Sequence, residues 1–268
     1  KNASIGGQFN LAKQVPGKEE FFETLRYFSH QLKRLNVDIK LDCHATPELL
    51  NDFDEIIIAT GIKPRTPKIE GIEHPKVFSY VDVLNKTRTV GKSVALIGAG
   101  GIGFDVAEYL SHQGESPTLN KELYANEWGI DLTNQGNSGL KQAIVTPSPR
   151  TIYLLQRKAT KVGANLGKTT GWIHRATLKQ KKVTMLANVE YTKIDDAGLH
   201  ILVDAKAQTL DVEHIVLCAG QLPNKDLYQE LLDSNINKPI HIIGGADVAS
   251  ELDAKRAINQ AAWLAAEV

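Results

Sequence analysis

The chain has 268 residues, which is enough for one large domain or two small ones. Lysine and arginine together number 31, as do aspartate and glutamate, so the formal net charge at pH 7 is zero. This balance argues against nucleic acids and anionic membrane surfaces as partners. We find neither an apolar run long enough to span a bilayer nor a signal peptide, and we expect a cytoplasmic location.

The two cysteines, Cys43 and Cys218, lie far apart in the sequence and form no Cys-x-x-Cys motif. Two thiolates cannot hold an iron–sulfur cluster alone, because such clusters take four protein ligands. Each cysteine lies beside an apolar predicted strand, so we expect two buried free thiols in a reducing compartment. The sequence starts at Lys1 within a predicted loop, from which we expect a fragment or a processed product.

Hydrophobic periodicity and capping residues predict the elements of the first third of the chain. In chain order they are a loop over 4–14, a helix over 18–36, a strand over 37–41, a helix that begins at the N-cap Thr46, a strand over 55–59, an extended connector over 62–75 and a short helix from the cap Ser79 to Lys86.

The remaining elements follow from the same signals. They are a strand and helix over 94–112, a long polar loop over 112–150, a strand over 152–156, a helix over 171–180, strands over 183–186, 190–194 and 199–203, a strand over 214–219, a strand over 240–243 and a helix over 251–267. Residues 195–198 make a hairpin of the strands on either side of them.

Residues 94–103 read Val-Ala-Leu-Ile-Gly-Ala-Gly-Gly-Ile-Gly, an apolar strand that runs into a Gly-x-Gly-x-x-Gly turn. We expect Gly98 to allow the tight turn, Gly100 and its neighbour Gly101 to admit a pyrophosphate, and Gly103 to let the next helix pack on the strand. The N-terminal N–H groups of that helix would face the pyrophosphate. The pattern predicts dinucleotide binding, and a tight strand-to-helix turn without a ligand is the alternative.

The next predicted strand ends in Gln156-Arg157-Lys158. An acidic residue at this position would bond the ribose 2′-hydroxyl of NAD, whereas cations accept the 2′-phosphate of NADP. Arg157 and Lys158 therefore predict NADP, with a solvated basic turn as the alternative. Lys168 and Arg175 could add positive charge nearby, with surface solvation as their alternative role.

Four stretches resemble the two-dinucleotide-binding flavoproteins, in which a nicotinamide domain is inserted into an FAD domain. Residues 56–65 and 216–224, with their Ala-Thr-Gly and Ala-Gly turns, resemble the crossover segments between the domains. Residues 240–247 resemble the final Gly-Asp motif, and 5–10 resemble the loop that lies over the flavin. The resemblance implies FAD contacts at Gly7, Gln8, Ala45, Thr60, Gly61, Gly220, Gly244 and Asp247.

Three of these assignments have structural alternatives. Gln8 could be an exposed loop amide, Ala45 could serve packing alone, and Asp247 could cap the last helix. The eight histidines show no metal-ligand spacing, and we find no nucleophile–base pair. Hydride transfer needs neither, because the cofactors carry the chemistry.

Residues 5–21, 126–131 and 155–175 are similar to the C-terminal portion of bacterial NADPH-dependent 2,4-dienoyl-CoA reductases, relatives of old-yellow-enzyme-like flavin oxidoreductases. The resemblance implies an α/β fold in which a Rossmann-like NADP-binding domain, 89–212, is inserted into an FAD-binding domain, 1–88 and 213–268. The first strand–turn–helix of the FAD domain is expected to be missing. So is an N-terminal TIM barrel with FMN and an iron–sulfur cluster, which would be the partner within the same polypeptide.

In such an enzyme, the resemblance implies, hydride passes from NADPH to flavin, and electrons then reduce a 2,4-dienoyl-CoA in unsaturated fatty acid β-oxidation. We expect the isolated chain to lack that activity and to hold FAD weakly or not at all. Two alternatives stay open: the FAD/NAD(P) module of an amine-dehydrogenase-like flavoenzyme, and a non-catalytic nucleotide-binding fragment. No Cys pair supports a disulfide reductase.

Overall fold

The computed structural model describes residues 2–234, 236–250 and 254–268. The α-helices within these ranges are α1 (Phe9–Ala12), α2 (Phe21–Arg34), α3 (Pro47–Leu50), α4 (Tyr80–Leu84), α5 (Gly101–Ser111), α6 (Lys121–Trp128), α7 (Gly171–Gln180), α8 (Asp226–Asp233) and α9 (Ala254–Glu267). The strands are β1 (Ile56–Ile58), β2 (Ile62–Pro64), β3 (Val77–Ser79), β4 (Ser93–Ile97), β5 (Thr151–Leu155), β6 (Thr184–Leu186), β7 (Val189–Asp195), β8 (Gly198–Val203), β9 (Lys206–Leu210), β10 (His214–Leu217), β11 (Gln221–Pro223) and β12 (Ile240–Ile242).

The chain divides into two compact units. The first unit comprises Lys1–Gly7, Tyr27–Arg65 and Gly220–Val268, and the second comprises Gln8–Arg26 and Thr66–Ala219. The second unit is larger than the inserted domain predicted over 89–212. Its sheet includes β3 and β10, which the prediction left outside, because β10 pairs in parallel with both β3 and β4. It also includes α1, whose Leu11 packs in the same core as α5.

The core of the second unit is a five-stranded parallel sheet in the order β3-β10-β4-β5-β6. Alternate residues of β4 face opposite sides of the sheet, as the two-residue period of a strand requires. Val94 and Leu96 belong to a core with Phe104 of α5. Ala95 and Ile97 belong to a second core under the antiparallel sheet β7-β8-β9. A parallel sheet covered on both faces and entered through a glycine turn is the Rossmann-like arrangement, so the predicted α/β fold class is confirmed.

The first unit contains two short strand pairs. β1 pairs in parallel with β12, with Ile58 opposite Ile242, and β2 pairs antiparallel with β11. Ile56 and Ile58 pack with Leu231 and Ala246 in a small core. Parallel pairing places the carboxyl ends of β1 and β12 at one edge, so the loops that follow them begin side by side.

The predicted starts of two helices are confirmed by their N-cap hydrogen bonds. The Thr46 hydroxyl accepts a hydrogen bond from the Leu49 N–H, and Pro47 occupies the first turn of α3. Ser79 and Asp82 form a reciprocal capping box at α4.

Other local predictions are wrong. Residues 37–41 form no strand, and no described residue pairs with them in a ladder or bridge. The predicted loop over 4–14 contains α1, and the predicted loop over 112–150 contains α6. The predicted start of the last helix at 251 lies outside the described residues.

Candidate nucleotide-binding site

Two glycines of the turn are required by the fold itself. Gly98 has φ +113°, and a Cβ there would lie 2.4 Å from the Cys218 carbonyl oxygen. A Cβ on Gly103 would lie 1.9 Å from the Gly98 carbonyl oxygen, because α5 packs directly on the turn. Both places match the predicted reasons for glycine, the tight turn and the close helix–strand contact.

The other two glycines of the turn meet no steric demand from the protein. A Cβ on Gly100 or Gly101 would find nothing within 4 Å. Gly100 has φ −82° and ψ −170°, an extended conformation open to any residue. The bare backbone at these positions therefore leaves room for a group from outside the chain, which is where a pyrophosphate would approach.

The N-terminus of α5 opens onto that room. Gly100 is the N-cap, no side chain bonds to the cap, and the first turn carries no acidic residue. The first N–H groups of a helix have no partner within the helix, and they lie at the positive end of its dipole. This terminus can therefore accept an anion without displacing a protein side chain.

The predicted NADP-selective residues follow β5, the strand next to β4. The Gln156 amide donates to the carbonyl oxygens of Lys158 at 3.0 Å and Thr160 at 2.7 Å, which folds residues 156–160 into a compact turn. Arg157 and Lys158, hereafter the basic pair, are exposed on this turn. In the described part of the chain, neither is ion-paired with a carboxylate.

Arg175 and Lys168, the two further cations predicted near the site, differ in burial. The Arg175 guanidinium donates to the Gly163 carbonyl oxygen at 2.8 Å and is partly buried, so it supports the loop before α7. Lys168 is exposed.

The residues predicted for FAD that follow β1 are tied to the segment after β11. The Thr60 hydroxyl donates to the Asn224 carbonyl oxygen at 2.6 Å, and the Asn224 N–H donates to the Gly61 carbonyl oxygen at 3.0 Å. The Gly220 carbonyl oxygen accepts from the Arg65 N–H at 3.0 Å. The two crossover segments, similar in sequence, therefore pair with each other in the first unit.

Asn224 is a candidate that the predicted set missed. Its side-chain oxygen Oδ1 is buried and has no hydrogen-bond partner among the described residues. Buried polar atoms are nearly always paired, so an unpaired oxygen beside Thr60 and Gly61 marks a position where a donor from outside the chain would fit. The signal in the sequence was the Pro-Asn that ends the second crossover segment.

The Gly-Asp motif after β12 is held by α9. The Gly244 N–H donates to the Gln260 side-chain oxygen at 2.8 Å, and the Gln260 amide donates to Asp247 Oδ2 at 3.0 Å. Gly244 has φ +63°, which favours glycine. Gln260 was not predicted, and its role here is to position Asp247.

Three other predicted FAD residues lie in loops. Gly7 has φ +49°, and a Cβ there would meet nothing within 4 Å. Gln8 is the N-cap residue of α1 through its carbonyl oxygen, and its side chain makes no cap bond. Ala45 is half-buried and directly precedes the Thr46 cap, but the strand predicted before it is absent.

A model of the family described as pyridine nucleotide-disulphide oxidoreductase matches residues 40–241, more than half of the chain. The chain belongs to this family. In the second unit, the matched range includes the glycine turn and the basic pair. It also includes the crossover segment 56–65 of the first unit and the segment 216–224, which belongs to that unit from Gly220 onward. The family assignment agrees with the binding of FAD and a nicotinamide nucleotide.

The chain is similar to three reductases. A metal reductase of Desulforamulus reducens is 28% identical over 84% of this chain and 34% of its own length. A cinnamate reductase of Clostridium sporogenes is 29% identical over 86% of this chain and 30% of its own length. The solved structure of a 2-naphthoyl-CoA reductase matches 97% of this chain and 34% of its own with a TM-score of 0.79 at 24% identity, which shows the fold. The chain thus spans about a third of the length of these relatives.

The cysteines of this oxidoreductase lie in different units. Cys43 is half-buried in the first unit and Cys218 is buried in the second, and both are free thiols. Burial raises the pKa of the Cys218 thiol well above its ordinary value, which suppresses the reactive thiolate. Burial is therefore confirmed for Cys218 and only partial for Cys43.

The described residues offer neither a metal site nor a membrane-spanning helix. No group of three or more histidine, cysteine or acidic side chains could hold a metal ion. No helix in that part of the chain has the length and apolar character needed to cross a membrane.

Proposed function

We propose that this chain is the NADPH- and FAD-binding part of a flavin-dependent reductase whose full-length form reduces a 2,4-dienoyl-CoA. The observation that carries the proposal is the combination of two open glycines at the N-terminus of α5 with an exposed basic pair after the neighbouring strand. NADPH supplies hydride when bound. The protein's task is then to hold the pyrophosphate, select the 2′-phosphate and orient the nicotinamide.

Preference for NADPH over NADH rests on charge. No acidic side chain stands at the end of β5 to bond a ribose 2′-hydroxyl, and Arg157 and Lys158 occupy the turn instead. A guanidinium offers a planar fork to a phosphate, and an ammonium offers a point charge. Because neither cation is ion-paired in the described chain, their charge is available to a ligand.

The FAD assignment rests on the loops of the first unit. Gly61, Gly244 and Asp247 follow the carboxyl ends of β1 and β12, where open parallel sheets bind ligands. The unpaired Asn224 oxygen adds one acceptor beside Thr60. These groups suit the hydroxyls of a ribityl chain, and the predicted FAD residues remain a proposal.

The substrate class rests on sequence motifs and relatives. Residues 5–21, 126–131 and 155–175 resemble the dienoyl-CoA reductases, and two relatives are named as reductases of cinnamate and of 2-naphthoyl-CoA. Since the chain spans about a third of these relatives, the proposal assigns the substrate site to a barrel of the same polypeptide. A histamine dehydrogenase of Rhizobium shares the fold with a TM-score of 0.73, but the basic pair favours an NADPH-dependent enzyme over an amine dehydrogenase.

The test is a charge exchange at the basic pair, Arg157→Glu with Lys158→Ala. The variant should lose about 2–4 kcal/mol of NADP(H) binding free energy, because charge-assisted bonds to the 2′-phosphate disappear. Binding of NAD(H) should change little. Calorimetric titration of both nucleotides into both proteins measures the difference.

A matched control separates a specific site from a general change in charge. Lys33→Ala with Arg34→Glu makes the same charge change on exposed residues of α2 and should leave both affinities unchanged. Equal loss of NADP(H) and NAD(H) in the basic-pair variant would mean damage to the fold. No loss of either would assign the basic pair to solvated surface and refute the proposed NADPH selectivity.

A further inference from the structure

A second pocket lies at the end of the parallel sheet opposite the glycine turn. Its volume is about 640 Å³, and it is bounded by the chain entering β4 and β5 and by the last turn of α5. We call it the rear pocket and define it by Glu19, Lys86, Lys92, Tyr109, Leu110 and Arg150. Along α5, Tyr109 at the pocket follows Gly101 at the glycine turn by eight residues, or about 12 Å at 1.5 Å per residue. The two sites are therefore distinct.

The charge of the rear pocket is predominantly positive. Lys86, Lys92 and Arg150 line it, against a single carboxylate, Glu19. That carboxylate already accepts the Gly17 N–H at 2.9 Å and the Thr118 hydroxyl at 3.0 Å. Neither lysine takes part in any ion pair of the described residues. Among the described residues, neither ammonium group has a carboxylate within ion-pair distance, and the nearby Glu213 carboxylate accepts the Lys92 backbone N–H at 2.8 Å.

Lys86 has a backbone conformation that favours glycine or asparagine. It follows the C-cap of α4 with φ +60°, in the left-handed region. The Lys86 N–H bonds to the Val83 carbonyl oxygen, and the Thr87 N–H bonds to that of Asp82, which is the Schellman arrangement. Glycine or asparagine usually occupies this position. Lys86 therefore accepts backbone strain at a position that lines the pocket.

The rest of the rear pocket is firm and partly apolar. The Arg150 guanidinium donates to the Leu110 carbonyl oxygen at 3.0 Å and to that of Val90 at 3.4 Å, so it is fixed at the end of α5. Tyr109, which is half-buried, lines the pocket together with the buried Val90 and Leu110. A cavity of this size suits a small organic ligand. Cations beside apolar surface suit one that carries both phosphates and a ring.

We propose that the rear pocket binds a phosphorylated organic anion the size of a nucleoside diphosphate. The phosphates would contact Lys86 and Lys92, and the ring would lie on the apolar surface beside Tyr109. This site is separate from the proposed NADPH site and does not depend on it.

The experiment titrates ADP by calorimetry into the full 268-residue chain and four variants, with and without saturating NADPH, because the glycine turn could also accept the pyrophosphate of ADP. Lys86→Gly and Lys92→Ala should each weaken ADP binding by about 10- to 100-fold, because each removes a charge-assisted phosphate contact. Lys182→Gly is the matched control. Lys182 has φ +59° after α7 in the same Schellman arrangement, and it does not line the pocket.

Glycine should preserve or raise the thermal midpoint at both 86 and 182, so a loss of binding in Lys86→Gly alone cannot reflect unfolding. Inorganic pyrophosphate, which has no ring, should bind at least about tenfold more weakly than ADP. Undetectable ADP binding, or ADP binding that none of the lysine substitutions changes, would overturn the proposal, and the latter would assign ADP to the glycine turn. Equal affinity for pyrophosphate would contradict the organic ligand. The basic-pair variant should bind ADP normally, so failure of the NADPH proposal is seen separately.

Discussion

The four glycines of the turn should separate into two classes on substitution, and Gly100→Ala against Gly103→Ala is the sharpest comparison. Gly100 is the N-cap of α5 and its Cβ would project into open space, whereas a Cβ on Gly103 would press on the backbone of Gly98. If the turn holds a pyrophosphate, Gly100→Ala should impair binding and spare the fold. Gly103→Ala should impair the fold.

The geometry sets the magnitudes. In Gly103→Ala, the Cβ would lie 1.9 Å from the Gly98 carbonyl oxygen and 2.9 Å from its carbon, so backbone atoms must move. Overpacking of this kind lowers the free energy of unfolding by about 1–3 kcal/mol. In Gly100→Ala, the extended backbone accepts alanine, and the change in that free energy should stay below about 1 kcal/mol, the cost of a poorer N-cap residue. The added Cβ would keep the pyrophosphate away from one backbone N–H. Loss of that one hydrogen bond costs about 1.5–3 kcal/mol, or roughly 10- to 150-fold in NADPH affinity.

Urea unfolding measures stability, and calorimetric titration of NADPH measures binding, for the parent chain and both variants. We expect Gly100→Ala to weaken NADPH binding with less than about 1 kcal/mol of lost stability, and Gly103→Ala to lower stability further. Normal NADPH affinity in Gly100→Ala would refute the view that the open glycines face a pyrophosphate. The turn would then be a strand-to-helix connection without a ligand.

Further predictions concern pH, activity and flavin. The Glu108 carboxylate, 2.7 Å from His174 Nδ1, raises the pKa of His174 above its ordinary 6.5. The contribution of protonated His174 to the free energy of unfolding is therefore complete below pH 6.5 and is lost as pH rises through the raised pKa. In His174→Asn, the free energy of unfolding measured with urea should not show this decline. The 268-residue chain alone should not oxidise NADPH with a 2,4-dienoyl-CoA; measurable turnover in a spectrophotometric assay would contradict the assignment of the substrate site elsewhere. FAD should be absent or bound about two to four orders of magnitude more weakly than in a complete site, because the sequence holds one Gly-x-Gly-x-x-Gly turn and the proposal gives it to NADPH. Near-stoichiometric flavin absorbance after purification would show this to be wrong.

Sequence patterns predicted the elements whose signals are local. The Thr46 cap with Pro47 and the Ser79 capping box satisfy their own backbone groups, and the glycine turn is a contiguous motif. The alternation over 37–41 carried the same strand signal as β8, but a strand also needs a neighbour to pair with. Since no described strand pairs with 37–41, Val37, Ile39 and Leu41 remain exposed.

Helix α6 is an element that the sequence patterns missed, because residues 112–150 were predicted to be a loop. Its signals were present, because Asn120 accepts two N–H bonds at the start and Gly129 closes the end with φ +67°. Only Ala125 of its eight residues is buried, so hydrophobic periodicity gave no indication. A tertiary contact fixes the segment: buried Lys181 pairs with Glu127 and donates to the Thr146 carbonyl oxygen at 2.8 Å. Such long-range ion pairs are invisible to local pattern analysis.

Only part of the site could be predicted, because local sequence patterns carry no information about contacts between distant residues. The glycines and the basic pair follow a contiguous motif, so their placement could be inferred from sequence. Asn224 and Gln260 act through distant partners, Gly61 for the first and Gly244 for the second, and only the fold brings them together. The domain limits shifted because β3 and β10 join β4 across long stretches of chain.

The most direct test of the central claim compares NADPH and NADH on the unaltered chain. Parallel calorimetric titrations at one ionic strength would give both dissociation constants. With the 2′-phosphate on Arg157 and Lys158, NADPH should bind at least about tenfold more tightly, and the difference should shrink as salt rises. Equal affinities, or tighter binding of NADH, would contradict an NADPH site at the glycine turn and the basic pair.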